Sequence, residues 1–113
     1  MQPESPALIW DARRAADRVV EFVSGRSWDD YRQDVMLRSA VERQFQIIGE
    51  ALNRLSKVDP GTADRVPDLA RIVAFRNVLV HGYAQIDDAL VWEVASARVP
   101  ELTALLAGLL DDE

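Results

Sequence analysis

The fold is decided by the longest helical pattern in the chain, SWDDYRQDVMLRSAVERQFQIIGEALNRLSK, at residues 27–57. Ser27 is a favoured residue for capping the start of a helix, and Asp29 and Asp30 suit its positive first turn. The apolar residues that follow, with one glutamine among them, are spaced four and three apart, which places them on one face of an α-helix. The pattern predicts a single helix about 45 Å long, so we expect part of it to pack against something beyond its own chain. This face consists of Leu37, Val41, Gln44, Ile48, Ala51 and Leu55.

Two further helices are predicted on either side of this segment. The first follows Pro6 and ends at Ser24-Gly25, which are typical start and stop signals. After a turn at Asp59-Pro60-Gly61, Pro67 suits the first position of a third helix and Gly82 suits its end. Their apolar faces are Leu8, Ala12, Ala15, Val19 and Phe22 in the first, and Leu69, Ile72, Val73, Leu79 and Val80 in the third.

The last quarter of the chain predicts a fourth helix, capped by Asp87. Pro100 cannot lie undisturbed inside a helix, so it either kinks this helix or begins a fifth one. No strand pattern competes anywhere in the sequence. We therefore predict an all-α fold: one domain over residues 1–113, an antiparallel bundle of four to five helices with the last helix kinked or broken at Pro100.

Composition narrows the possible functions. Hydrophobic residues make up 49% of the 113 residues, enough for a core, so the chain is not a disordered tail. A net charge of −6 argues against a protein that coats nucleic acid, because such binding needs a basic surface. With no cysteine and one histidine, disulfides and a His-rich metal centre are excluded within one chain, and we expect no metal and no cofactor.

The sequence also predicts a location. No apolar run approaches the ~20 residues that span a bilayer, and the first residues resemble no signal peptide. The absence of cysteine fits a reducing compartment. We therefore expect a cytoplasmic protein with no membrane contact.

The chemistry is concentrated in FRNVLVHGY, residues 75–83. Arg76 is a permanent cation that can bind phosphate and stabilise charge in a transition state. His81 titrates near neutrality and suits general acid or base catalysis. Arg76 and His81 are five residues apart, about 140° around a helix, so a second copy of the chain could complete the site across a two-fold axis. On residue types alone, a capping or surface His81 and a solvated or ion-paired Arg76 are the more common readings, and Asn77 and Tyr83 could be structural.

The same segments resemble a known family. Arg76-x4-His81 resembles the signature of the HEPN superfamily (higher eukaryote and prokaryote nucleotide-binding domains), and Arg76-x4-His81-x-Tyr83 resembles its HepT-like branch, the toxins of HepT/MntA systems. Residues 48–51, IGEA, are similar to a mid-helix segment of that branch. Asp87, Val91-Trp92 and Pro100-Glu101-Leu102 are similar to its C-terminal part. Asp68 departs from the pattern, which often has an apolar residue after the proline.

The resemblance implies a function. It implies a homodimeric, metal-independent endoribonuclease toxin of a type VII-like toxin–antitoxin system, with an RNA substrate. It also implies a partner antitoxin, an MntA-like minimal nucleotidyltransferase, that silences the toxin by transferring AMP from ATP to a tyrosine.

The family's site residues carry over to matching positions. The resemblance makes Arg76 the phosphate-binding cation, His81 the general acid/base, Asn77 an orienting residue and Tyr83 the AMPylation site. Glu50 matches the family's mid-helix acid, which either pairs with the motif arginine or is structural. We add three basic candidates for RNA binding near the motif: Arg43, Arg65 and Arg71.

Two other functions compete with the ribonuclease. One is a catalytically silent helical module that binds a nucleotidyltransferase or a nucleotide. The other is a helical bundle that serves only for dimerisation. Gln44 in the long apolar face is compatible with this function, because a buried polar residue can set the register between helices.

Overall fold

The protein is described here from a computed structural model that covers residues 1–81 and 86–111. Within these residues every regular element is helical, which confirms the all-α prediction. None of their helices is both long and apolar enough to cross a membrane. The elements are α1 (Ser5–Val23), α2 (Trp28–Gln33), α3 (Val35–Val58), α4 (Pro60–Ala63), α5 (Leu69–His81), α6 (Asp88–Glu93), a π-helical segment (Val94–Arg98) and α7 (Val99–Asp111).

The core lies where α1 packs against both α3 and α7, while α5 packs on the other side of α3. On α1 the buried residues include small alanines, which let the helices approach closely. Burying each large aliphatic side chain stabilises the fold by roughly 1.5–3 kcal/mol. The fully buried side chains at the centre include Ile9, Val19, Val41, Ile48, Leu52, Leu55 and Leu106.

The single long helix predicted for residues 27–57 is wrong, because the chain breaks at Asp34. Asp34 has an extended backbone (φ −112°, ψ 98°), and its carboxylate accepts a hydrogen bond from Leu37 N at 3.0 Å. A short polar side chain that caps the next helix competes with continuing the first one. The predicted start is confirmed: Ser27 Oγ accepts from Asp30 N, and Asp30 Oδ2 accepts from Ser27 N. The helix that carries most of the predicted face, α3, is 24 residues long.

Helix α2 is attached to the C-terminal half of the chain. Tyr31 is fully buried, and its ring lies 6.3 Å from Trp28 and 5.4 Å from Trp92 between ring centroids. Burial, and then the charge of nearby Glu42, raise the pKa of Tyr31. Arg38 Nε lies 3.6 Å from Asp88 Oδ2, which ties α3 to the start of α6.

The predicted turn at 59–61 is in fact the start of α4, capped by Asp59. The Asp59 carboxylate accepts hydrogen bonds from Gln2 N (3.0 Å), Ser5 Oγ (2.7 Å), Thr62 Oγ1 (2.7 Å) and Thr62 N (3.1 Å). The bonds from Gln2, Thr62 and Ser5 hold the pKa of Asp59 well below its ordinary value. This carboxylate therefore joins the N-terminal residues to the junction between α3 and α4.

The third predicted helix begins later than expected. Pro67 is not its first residue, because Asp68 adopts a left-handed backbone (φ 59°) that interrupts helix geometry, and α5 begins at Leu69. Its predicted end at Gly82 lies outside the described residues, as does Tyr83.

The C-terminal helices follow the prediction closely. Asp87 caps α6 by accepting from Leu90 N at 3.2 Å. The π-helical segment then widens the turn directly before Pro100, and α7 continues to Asp111. A proline lacks the N–H of a helical hydrogen bond, and its ring crowds the preceding turn. The departure from α-helical geometry therefore lies in the residues before Pro100, at Val94–Arg98, and Pro100 itself is the second residue of α7.

Candidate active site around Arg76 and His81

Arg76 is held against α3 rather than pointing freely into solvent. Its side chain is 26% exposed, and Nη2 lies 3.3 Å from Glu50 Oε1 on α3. Nη1 donates to Asn77 Oδ1 at 2.9 Å. The two acceptors fix the plane of the guanidinium group. Of the two readings of Glu50 given by the sequence, the structure has the one in which it pairs with the motif arginine.

The α3–α5 contact beneath Arg76 is tight. Phe45 and Phe75 pack edge to face with ring centroids 5.1 Å apart. At Gly49 there is no room for a side chain, because a Cβ there would lie 2.5 Å from Arg76 Cγ and closer still to Arg76 Cβ. The absence of a side chain at Gly49 thus lets the aliphatic part of the Arg76 side chain, here called its stem, cross α3.

His81 is the last residue of α5 and its side chain is exposed. Asn77, four residues earlier, is exposed on the same side of the helix, and so is Val78. Within residues 1–81 and 86–111, no hydrogen bond or ion pair joins His81 to Arg76. One copy of the chain therefore supplies a cation anchored on α3 and an exposed imidazole that is not bonded to it.

The three predicted RNA-binding arginines occupy different places. Arg43 is exposed on α3, seven residues before Glu50 and so on the same side of the helix, and Nη1 donates to Gln46 Oε1 at 3.3 Å. Arg65 is exposed between α4 and α5. Arg71 lines a cleft on a face of α5 that is about 140° from Arg76. Of Arg43 and Arg71, it is Arg43 that lies on the same side of α3 as Glu50.

Sequence reasoning missed the cleft that Arg71 lines, which has a volume of about 640 Å³. It separates α5 from α6 and α7, and charged residues of both signs, among them Asp68, Arg98 and Glu101, stand beside its apolar lining. A helical period assigns apolar side chains to a helix face, but nothing in it indicates how far apart two helices stand. The apolar lining includes Phe45, Ile72, Phe75, Val94, Leu102 and Leu105.

Gly49 was also missed as a site residue, although the sequence carries a signal for it. A glycine inside a strongly helical pattern costs stability relative to alanine, and such a glycine usually has a packing reason. Here the reason is the stem of Arg76.

Comparison with known proteins places this chain in a family. The family described as Ribonuclease HepT-like matches residues 12–108. A "Putative RNase" of Methanocaldococcus jannaschii is 31% identical over 96 residues, which cover 85% of this chain and 87% of that one. A "Putative RNase" of Caldanaerobacter subterraneus subsp. tengcongensis is 32% identical over 95 residues, which cover 84% of each chain.

A "Probable ribonuclease HepT" of Thermococcus cleftensis is 27% identical over 94 residues, covering 81% of this chain and 83% of that one. No solved structure gives a significant match. The chain belongs to the HepT-like ribonucleases, as its sequence motifs indicated.

Proposed function

We propose that this protein is a metal-independent endoribonuclease toxin whose site is built from Arg76 and His81 of two protomers. The observation that carries the proposal is the anchoring of Arg76: Glu50 and Asn77 fix its guanidinium group on the helix that ends in His81. A cation held in place before substrate binds stabilises developing charge without reorganising during the reaction.

The chemistry needs no group beyond these side chains and water. One imidazole takes the proton of the ribose 2′-hydroxyl, the 2′-oxygen bonds to phosphorus, and the bond to the 5′-oxygen breaks as that oxygen takes a proton from water. Arg76 neutralises the extra negative charge on the phosphoryl oxygens at this stage. The products are a 2′,3′-cyclic phosphate and a 5′-hydroxyl.

A homodimer supplies what one chain lacks. His81 and Arg76 lie on different sides of α5, so the imidazole of one protomer can approach the guanidinium of the other when the two helices meet across a two-fold axis. The outward side of α5 suits such a contact, since Val78 on it is 53% exposed.

Silencing by a nucleotidyltransferase antitoxin completes the proposal. Transfer of AMP from ATP joins the Tyr83 oxygen to the α-phosphorus and releases pyrophosphate. Tyr83 is two residues beyond His81 in the chain. A nucleotide there would bring a phosphate to the arginine-containing site and exclude RNA from it.

The test is cleavage of total RNA by protein expressed without a partner, with EDTA present throughout. We expect cleavage by the wild type and none by His81→Ala. His81 is exposed and makes no side-chain hydrogen bond to other described residues, so the substitution should leave the fold intact, as circular dichroism would verify. Cleavage that EDTA abolishes, or that H81A retains, contradicts the proposal.

One observation favours a second candidate function. Arg76 already has two partners, and an ion pair with Glu50 reduces its attraction for phosphate. The chain would then be a catalytically silent module that binds a nucleotidyltransferase or a nucleotide. The absence of cleavage by protein whose intact mass shows an unmodified Tyr83 would favour it.

A further inference from the structure

The contact between Gly49 and Arg76 is closer than two ordinary residues permit. Carbon atoms that are not bonded pack at about 3.5–4.0 Å. A Cβ at position 49 would lie 2.5 Å from Arg76 Cγ and nearer to Cβ, and both of these atoms belong to the start of the Arg76 side chain. The start of a side chain cannot swing aside as a flexible end can, so an added methyl group must move α5 or turn Arg76 about its first bond.

Either movement displaces the charged end of Arg76. The stem crosses α3 at Gly49, and the guanidinium then meets Glu50, the next residue of the same helix, at 3.3 Å. Arg76 Nε is buried and has no hydrogen-bond partner among the described residues, so the stem, not a bond at Nε, sets where the group emerges. The direction of the guanidinium therefore depends on the position of the stem.

We propose that Gly49 is a positioning residue for the cation of the ribonuclease site; this rests on the proposed function, in which Arg76 contacts the scissile phosphate. Gly49 touches no substrate and acts by allowing Arg76 to cross α3. A misplacement of about 1 Å in an active site can cost on the order of 10²-fold in rate.

The experiment compares Gly49→Ala with Gly108→Ala. Both replace a glycine inside a helix and gain helix propensity. A Cβ at Gly108 meets no atom within 4 Å, so G108A is a matched control without the contact. With both variants folded, we expect kcat for RNA cleavage to fall about 10²-fold in G49A, with a smaller change in KM, and to remain at the wild-type value in G108A. Wild-type cleavage by G49A would overturn the proposal.

A second measurement does not depend on ribonuclease activity. Arg76→Gly removes all three carbon atoms that a Cβ at position 49 would meet. If the contact with Arg76 is the reason for the glycine, G49A lowers the urea midpoint of the otherwise wild-type chain but much less in the R76G background. An equal loss in both backgrounds would overturn the proposal.

The two measurements separate the two hypotheses. If the wild type cleaves no RNA, the proposed function fails, while the urea cycle still decides whether Gly49 positions Arg76. If G49A alone does not fold, folding restored in the G49A/R76G double variant supports the contact, and a double variant that stays unfolded contradicts it.

Discussion

Arg76 and His81 lie on the same helix but face different sides of it: Arg76 pairs with Glu50 of α3, whereas His81 is exposed at the end of α5. Five residues turn an α-helix by about 140°, and among the described residues no hydrogen bond or ion pair joins the two side chains. This separation is what makes a site shared between two chains testable.

The first prediction is that two inactive variants restore activity to each other. In a mixed dimer of Arg76→Ala and His81→Ala chains, one of the two shared sites has both Arg76 and His81 intact. With random pairing, half of the dimers are mixed, so we expect about a quarter of the wild-type cleavage rate. The measurement is RNA cleavage after co-expression, with each variant alone as the control. No recovery in dimers shown by mass to be mixed would mean that each site is complete within one chain.

The second prediction separates the charge of Glu50 from its hydrogen bond. Glu50→Ala removes the acceptor of Arg76 Nη2, so we expect kcat to fall about tenfold, which is ~1.4 kcal/mol of transition-state stabilisation. Glu50→Gln keeps an oxygen acceptor and should retain most of the activity. Glu21→Ala, an exposed acid on α1, is the control for lost negative charge. If E50A cleaves like the wild type, the pair with Arg76 has no part in catalysis.

The third prediction concerns the RNA-binding surface. Arg43 lies on the same side of α3 as Glu50, whereas Arg71 lines the cleft on another face of α5. We expect Arg43→Ala to weaken RNA binding and to reduce the slope of log Kd against log salt by about one, as the loss of one phosphate contact does. Arg71→Ala should leave the slope unchanged. The measurement is RNA binding by H81A protein at several salt concentrations, and a larger effect of R71A would place the RNA at the cleft.

The fourth prediction is a pH dependence of stability that arises at Asp59. Because its hydrogen bonds lower the pKa of Asp59 in the folded protein, they stabilise the fold while the carboxylate is ionised in both states. This contribution is present above the unfolded pKa of about 3.9 and is lost as the pH falls from there towards the lower folded value.

The corresponding variant is Asp59→Asn, followed by urea unfolding. We expect its midpoint to lie below that of the wild type at pH 7 and the gap to narrow at pH 3. Asp11→Asn, at an exposed position on α1, should show no such narrowing. A gap that is the same at both pH values would mean that the ionised form of Asp59 has no special role.

The positions of breaks in the helices were only partly predictable. Ser27, Asp87 and Pro100 act through their immediate neighbours, and the helices begin or bend where these residues indicate. The helix break at Asp34 was not predicted, because an aspartate inside a helical pattern of apolar residues can equally be a solvent-exposed residue of a continuous helix. In the structure α2 packs through Tyr31 against Trp92 of α6, a tertiary contact that the helical period does not indicate.

The sequence by itself determined the helical class, the family and the candidate site residues, because the helical period and the Arg76–His81 motif are local patterns. Only the tertiary structure decided that Arg76 faces Glu50 across Gly49 and that Arg71 belongs to a separate cleft. The physical reason is that these relationships depend on the distance and rotation between α3 and α5. Many side chains of both helices set these two quantities together, and no single segment encodes them.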